Sequence, residues 1–531
     1  MPSRFAIVDL FAGPGGLAEG FSSVRDHDGN RPFEIVLSVE KEASAHKTLQ
    51  LRSFLRQFDD AYPKEYYAFL NGAEDEPEWA SLYPNQWATA VAEALNLELG
   101  TKTAANVLDK HITRIREDFA GNIILIGGPP CQAYSLVGRA RNKGNTSYKA
   151  SEDHRHFLYK EYIRILDKLR PAVFVMENVK GLLSSSVNGE RIFDRVLDDL
   201  VEVGEGAYEL VPLTPRQATL PLSPENRHRP PSEFIVCAEE LGLPQARHRV
   251  IVVGIRKDLA KTLGKETLSN GLLQPTDDRV SVREVLRGMP KLRSGISDEE
   301  DSPEAWANIV VKAAKDVSDF APLSLTPRQL TAFQRYARKV AKKLSRKTLG
   351  RKSRAEASFR ASCPAALRRW LRDPKLTRLP NHETRAHMAS DLRRYFFASL
   401  VAKITGRSPK ALDFPFELAP DHLSWDTGKF SDRFRVQMWN GPATTVTSHI
   451  SKDGHYYIHP DPLQCRSLTV REAARLQTFP DNYFFKGSRT EQYVQVGNAV
   501  PPFLAKQIAE ALFGILNGIT KRTNPKKSVS K

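Results

Sequence analysis

Five short apolar runs, most of them stopping on a residue that a core does not need, constrain this chain of 531 residues more than any other feature. Phe5 to Leu10 runs into AGPGG, Ile35 to Val39 into Glu40, Ile123 to Ile126 into Gly127, and Ala172 to Met176 into Glu177; Val250 to Ile255 is the fifth. Apolar runs of this length, bounded by turns, are what strands look like when both faces of a sheet are covered. A helix-like stretch, Leu158 to Leu169, separates the third from the fourth. Strands alternating with helices predict an α/β fold with a mostly parallel sheet, and in such sheets ligands bind at the carboxyl ends of strands. The unusual strand ends are therefore expected to converge on one crevice.

Each strand end has a bland reading and a chemical one. The glycine turn Gly13 to Gly16 is punctuation or the floor of a ligand site, and Glu40 at the next strand end favours the second, because an acid there is placed to hold a ribose. The turn lacks a second G-x-x-G grip, which favours a nucleoside with little phosphate. Cys131 follows Pro129 and Pro130, which stiffen the chain, and precedes the polar Gln132, Tyr134 and Ser135. A free cysteine is most often a small buried hydrophobe, and with a thiol pKa of about 8.5 its nucleophilic use requires activation. Glu177 is either a helix-cap partner or a carboxyl facing the crevice, and Arg247 and Arg249 share one face at the entrance of the last strand.

The strand-helix rhythm stops at Pro290. The predicted organisation is a first domain over 1–290 with a helical, aromatic-rich insert at about 51–105, and a second, smaller, strongly basic domain over 291–432. The chain then returns to the first domain over 433–520, and a basic tail without fixed structure occupies 521–531. Thr469 with Glu472 three residues on is a capping box, and Leu504, Ile508, Leu512 and Ile515 form the stripe of an amphipathic helix. Between Arg328 and Arg394 stand 20 Lys or Arg against four acids, an excess equal to the net charge of +16 of the whole chain. Such a run is a solvated surface or a face opposed to a polyanion, and the interleaved Phe333, Tyr336, Phe359, Trp370 and Tyr395 favour an ordered face. The four cysteines are scattered with no Cys/His cluster at zinc spacing, so neither a disulfide framework nor a metal is expected. No secretory leader and no run of about 18 uncharged apolar residues is present, and a soluble, unexported protein is expected.

The segments DLFAGPGG, GGPPCQAYS, ENV, QARHR, RSLTVREAARLQTFPD and QVGNAVPP, in that order, resemble the DNA cytosine-5 methyltransferases over roughly residues 5 to 290 and 433 to 516. The resemblance implies a Rossmann-like methyltransferase domain using S-adenosylmethionine and no metal, with the basic segment in the place of a target-recognition domain. It implies that Phe11, Ala12, Gly13, Gly16 and Leu17 shape the methionine side of the cofactor pocket, that Glu40 holds the ribose, and that Leu158, Asn498, Ala499 and Val500 complete it. Cys131 becomes the nucleophile toward carbon 6 of cytosine and Glu177 the acid at its nitrogen 3. Arg247 and Arg249 share the contact to the ring carbonyl, with Arg249 preferred. Gln132, Ser135, Arg466 and Arg471 are implied DNA contacts.

One departure concerns the adenine, where the family has Asp-Ile. This chain reads LDKHITRI, so either His111 replaces the acid or Asp109 is shifted. The implied setting is a monomer acting on double-stranded DNA in the bacterial cytoplasm or nucleoid, with no membrane. A cognate restriction endonuclease would act on the same site without stable binding. A transfer-RNA methyltransferase on the same catalytic domain is the nearest rival. The long segment after Pro290 and the lack of a Cys-Phe-Thr signature weigh against it. A catalytically dead homologue would be expected to lose Cys131 or Glu177, and both are present.

Overall fold

The computed structural model describes residues 4–59, 61–130, 158–187, 190–215, 230–264, 270–316, 322, 324–351, 362–420 and 432–523. Its main sheet contains β1 (Phe5–Leu10), β2 (Phe33–Glu40), β3 (Ala94–Asn96), β4 (Ile123–Gly127), β5 (Val173–Val179), β6 (Tyr208–Pro212), β7 (Ile235–Cys237) and β8 (His248–Arg256). The spatial order is β3-β2-β1-β4-β5-β8-β6, with β7 beside β6 along the same edge of β8. All five apolar runs are strands of this sheet. Strands β1 to β5 pair in parallel, whereas β8 runs antiparallel to β5, β6 and β7, so the mostly parallel sheet holds one reversed strand.

Side chains alternate across these strands, and both faces are buried. Ala6, Val8 and Leu10 face one core with Leu37, Leu108, Tyr162, Leu166 and Leu197; Ile7 faces the other with Leu17, Phe21, Val175, Ile251 and Leu504. The second core receives the amphipathic helix Pro502–Thr523 through Leu504, Ile508, Leu512 and Leu516, and Ile515 is half-buried. The helix runs to Thr523, past the expected start of the tail, and residues 524–531 lie outside those described. The stretch Arg489–Asn517 is apolar and long enough to cross a membrane by composition, but 56% of its apolar window is buried inside the fold and Pro501 interrupts it.

The region around 51–105 contains the helices Ala43–Arg56, Lys64–Leu70, Trp79–Leu82 and Pro84–Glu93. It also supplies the unforeseen edge strand β3. Two further cores lie beyond residue 279: one joins Val282, Leu286 and Leu367 to Leu468, Tyr483 and Val496, the other joins Trp306, Val310, Phe333 and Phe396 to Phe434, Val436, Ile458 and Cys465.

Within the basic segment, helix Pro327–Leu344 buries Phe333, Ala337, Val340 and Leu344 at spacings of four and three. That period leaves Arg335, Arg338, Lys339, Lys342 and Lys343 exposed together on the opposite face, with Arg346 just beyond. Of the interleaved aromatics, Tyr336 is half-buried with Lys403 Nζ 4.8 Å from its ring centroid, and Phe359 lies outside the described residues. Phe333 and Tyr395 are fully buried core, and Trp370 donates its indole N–H to the Thr478 carbonyl at 2.7 Å.

Candidate active site

The crevice forms where β1, β2, β3, β4 and β5 end. After β1, Phe11 and Gly13 take positive φ angles of 56° and 57°, which turn the chain sharply enough for Gly15 N–H to reach the Ala12 carbonyl at 3.0 Å. Helix Gly16–Ser22 begins at once, and Leu17 is buried in it. Gly16 is obligatory for packing, since a Cβ there would stand 2.2 Å from the Val500 carbonyl oxygen. A Cβ on Gly13 would meet nothing within 4 Å among the described residues.

Glu40 closes this turn from β2. One carboxylate oxygen accepts from Gly13 N–H at 2.8 Å and the other from Glu42 N–H at 2.7 Å. Burial lifts its pKa, and the two backbone donors pull it back toward the ionised form. A carboxylate offers about four lone-pair positions, so two remain for hydroxyl donors. At the turn Phe11 is half-buried and Ala12 buried, and Val500 packs against Gly16; Ala499 is buried, Leu158 is half-buried beside Gly100, and Asn498 is exposed. A carboxyl with acceptor positions left for hydroxyls, a glycine turn and apolar walls suit a ribonucleoside with a sulfonium tail.

Neither residue expected at the adenine stands at a strand end. Asp109 and His111 lie inside helix Lys102–Phe119, where Asp109 pairs with Arg164 at 2.8 Å and Lys168 at 2.6 Å. The register of β2 with β3 places Asn96 opposite Glu40, with Leu97 next along the chain. Those two occupy the strand end, and sequence reasoning misses them because a three-residue strand carries almost no periodicity.

Glu177 and Arg249 meet across β5 and β8. Glu177 pairs with Ile251 and Arg249 with Val179, so the two are diagonal neighbours on one face, with Arg249 Nε 3.1 Å from a Glu177 carboxylate oxygen. Burial lowers the Arg249 pKa, and the Glu177 charge opposes that fall. Above them passes the loop from β4: a Cβ on Gly128 would lie 3.3 Å from Glu177 Oε2, and Asn178 donates its amide to the Pro129 carbonyl at 3.0 Å. The ENV segment thus also fixes the chain entering Cys131. Cys131, Gln132 and Ser135 themselves lie outside the described residues.

Three arginines named from the sequence are placed elsewhere. Arg247 is buried and donates to the carbonyls of Val446 at 2.8 Å and Ala499 at 2.9 Å; burial, with Arg249 nearby, lowers its pKa to about 9. With Gln245, which bonds Val446 N–H and Gln477, it staples β8 to the late segments. Of this pair, Arg249 faces Glu177. Arg466 and Arg471, expected to contact DNA, are fully buried inside the fold. Arg466 forms a bidentate pair with Glu472 at 2.7 Å, and Arg471 donates to the carbonyls of Pro380 and Pro480. Breaking a buried ion pair by removing one partner costs about 3–5 kcal/mol. Arg466→Ala is expected to lower the denaturant midpoint accordingly while leaving the salt dependence of DNA binding unchanged; a flattened dependence with normal stability would contradict this placement.

Sequence reasoning also misses Arg52, Glu19 and Tyr483. Arg52, from the helical region, makes two hydrogen bonds to Glu19 on the turn helix and lies 4.4 Å from the Tyr483 ring centroid. Tyr483 in turn bonds the Pro14 carbonyl. The helical region thereby braces the glycine turn.

The profile of the family described as C-5 cytosine-specific DNA methylase matches residues 81–514. The chain is 32% identical to the type II methyltransferase M.Bpa9945I of Bacillus paralicheniformis, over 96% of this chain and 99% of that protein. It is 27% identical to the putative type II methyltransferase M.OihORF3336P of Oceanobacillus iheyensis, over 95% of each. It is 26% identical to the DNA (cytosine-5-)-methyltransferase M.ApeKI of Aeropyrum pernix, over 97% of this chain and all of that protein. With the strand-end crevice and the Glu177–Arg249 pair already in place, these matches establish that the chain belongs to the C-5 cytosine-specific DNA methylase family.

Proposed function

We propose that this protein methylates carbon 5 of a cytosine flipped out of a specific duplex DNA sequence, with Cys131 as nucleophile and Glu177 and Arg249 as the groups that receive the base. The observation that carries the reading is the Glu177–Arg249 pair at 3.1 Å directly under the Gly128–Pro130 loop that delivers Cys131. S-adenosylmethionine, when bound, supplies the electrophilic methyl group. Glu40 and the Phe11–Leu17 turn hold its nucleoside and methionine, with Leu158, Asn498, Ala499 and Val500 around them and Asn96 and Leu97 at the adenine end.

The thiolate of Cys131 adds to carbon 6 of the cytosine. Negative charge then moves toward nitrogen 3, where Glu177 acts as the acid, its carboxyl donating to nitrogen 3 while its other oxygen accepts from the exocyclic amine and so selects cytosine over thymine. Arg249 donates to the ring carbonyl oxygen. Carbon 5 becomes nucleophilic and takes the methyl group; water then removes the proton of carbon 5, the carbon 5–carbon 6 double bond re-forms as the bond from carbon 6 to sulfur breaks and Cys131 leaves as thiolate, and the proton on nitrogen 3 returns to Glu177. Extrusion of the base costs a few kcal/mol, which contacts from Gln132 and Ser135 and from the region of 291–432 offset. The expected setting is a monomer in the cytoplasm, modifying the site that a cognate restriction endonuclease reads.

Duplex DNA carrying 5-fluorocytosine at the target tests the reading directly, because fluorine cannot leave as a proton does. A covalent adduct that maps to Cys131 and forms only with cofactor present is the expected result. Transfer of label to transfer RNA and not to duplex DNA would overturn it.

The basic face of helix Pro327–Leu344 is proposed to lie along the phosphates. In duplex DNA, log K falls against log salt with a slope of about −0.9 per neutralised phosphate. Replacing Lys342, Lys343 and Arg346, all exposed, is expected to flatten that slope by up to about 3 and to weaken target and non-target binding alike. Superimposable salt titrations of the variant and the wild type would return these charges to a solvated surface.

A further inference from the structure

We propose that Cys237, Glu239 and His248 form a binding site for a divalent transition-metal ion, zinc by its donor set, on the opposite face of β8 from Arg249. The inference stands apart from the catalytic reading and uses none of its residues. The β7–β8 register sets His248 directly opposite Cys237, so the two side chains share one face, and Glu239 comes two residues after Cys237. The Cys237 sulfur, a Glu239 carboxylate oxygen and a His248 ring nitrogen lie within 4.8 Å of one another.

A plain ion pair accounts for only part of this cluster. His248 Nε2 stands 2.7 Å from Glu239 Oε1, but among the described residues Glu239 Oε2, buried on a residue only 6% exposed, has no hydrogen-bond partner. An acceptor left in that state costs about 1–3 kcal/mol, and more when charged. A cation between the three groups satisfies it. Tetrahedral zinc, with bonds of about 2.0–2.3 Å, holds its ligands roughly 3.3–3.8 Å apart, so side-chain adjustments of about 1 Å close the site.

A thiolate and an imidazole exclude magnesium and calcium, which take oxygen ligands, and suit zinc or cobalt. On binding, the thiol proton passes to solvent and His248 presents an unprotonated ring nitrogen to the ion. His248 is partly exposed, which leaves a fourth position for water. Because Cys237 and His248 sit on adjacent strands, the ion ties β7 to β8 one residue before Arg249. The spacing Cys-x-Glu-x8-His matches none of the paired-cysteine zinc patterns, so the site is legible only once the strands pair.

Full-length protein, stripped with a chelator, is titrated with cobalt(II). The expected result is one bound equivalent with a thiolate-to-cobalt charge-transfer band in the near ultraviolet, displaced by zinc. Cys131→Ser should keep the band, Cys237→Ser should lose it, and His248→Asn should weaken binding by at least about tenfold. Absence of a thiolate band, a band that tracks with Cys131, or wild-type affinity in His248→Asn would overturn the proposal. If circular dichroism shows Cys237→Ser unfolded, His248→Asn decides alone, since its side chain is partly exposed and its loss opens no core cavity. The readout does not depend on methyl transfer, so an inactive preparation still answers the question.

Discussion

Cys131→Ser is expected to reduce methyl transfer by on the order of 10⁴-fold or more, the scale on which loss of a nucleophile acting in concert with its partners is felt. A serine hydroxyl has no thiolate-like form near neutral pH, and nothing in Glu177 or Arg249 is placed to generate one. Cofactor affinity should stay within a few-fold, because Glu40 is held by Gly13 and Glu42 and the turn helix by Arg52, all independent of the sulfur. Single-turnover transfer from labelled cofactor, alongside equilibrium cofactor binding, checks both halves. Substantial turnover in the variant would remove covalent catalysis from the account, and lost cofactor binding would show that the two parts of the crevice are coupled.

Glu177→Gln should slow the chemical step by about 10² or more at saturating DNA and cofactor. The amide keeps the shape, one donor and one acceptor, so recognition of nitrogen 3 and the exocyclic amine survives while proton transfer does not. The substitution also removes the charge facing Arg249, which is itself buried. Without that partner the cost of holding the guanidinium ionised rises, so a part of the loss arises through Arg249. Glu177→Asp separates the two effects: it restores the charge and the acid but withdraws the carboxyl by one methylene. A Glu177→Gln single-turnover rate within a few-fold of wild type would exclude the proton-donor role.

The five apolar runs are legible in the sequence because their information is local. Burial on both faces writes itself into consecutive residues, and every one of the runs is a strand. The residues that end a strand are local too, and for that reason the glycine turn, Glu40 and the Pro129–Pro130 pair can be named with their strand ends, whereas Glu177, expected just past its strand, lies inside β5. Direction is not local: nothing in Val250 to Ile255 distinguishes a parallel from an antiparallel neighbour, and pairing alone reverses β8.

The arginines divide on the same ground. Arg247, Arg249, Arg466 and Arg471 are equal in sequence as positive charges in family-like motifs. The structure separates them by what their donors meet. Arg466 and Arg471 find backbone carbonyls and Glu472 inside the fold, and Arg247 finds carbonyls contributed about 200 and 250 residues away. Arg249 alone of the four faces Glu177. Charge and order along the chain are properties of the sequence; which charge is satisfied within the protein and which is left for a substrate depends on distant segments closing around it, and only the tertiary structure decides that.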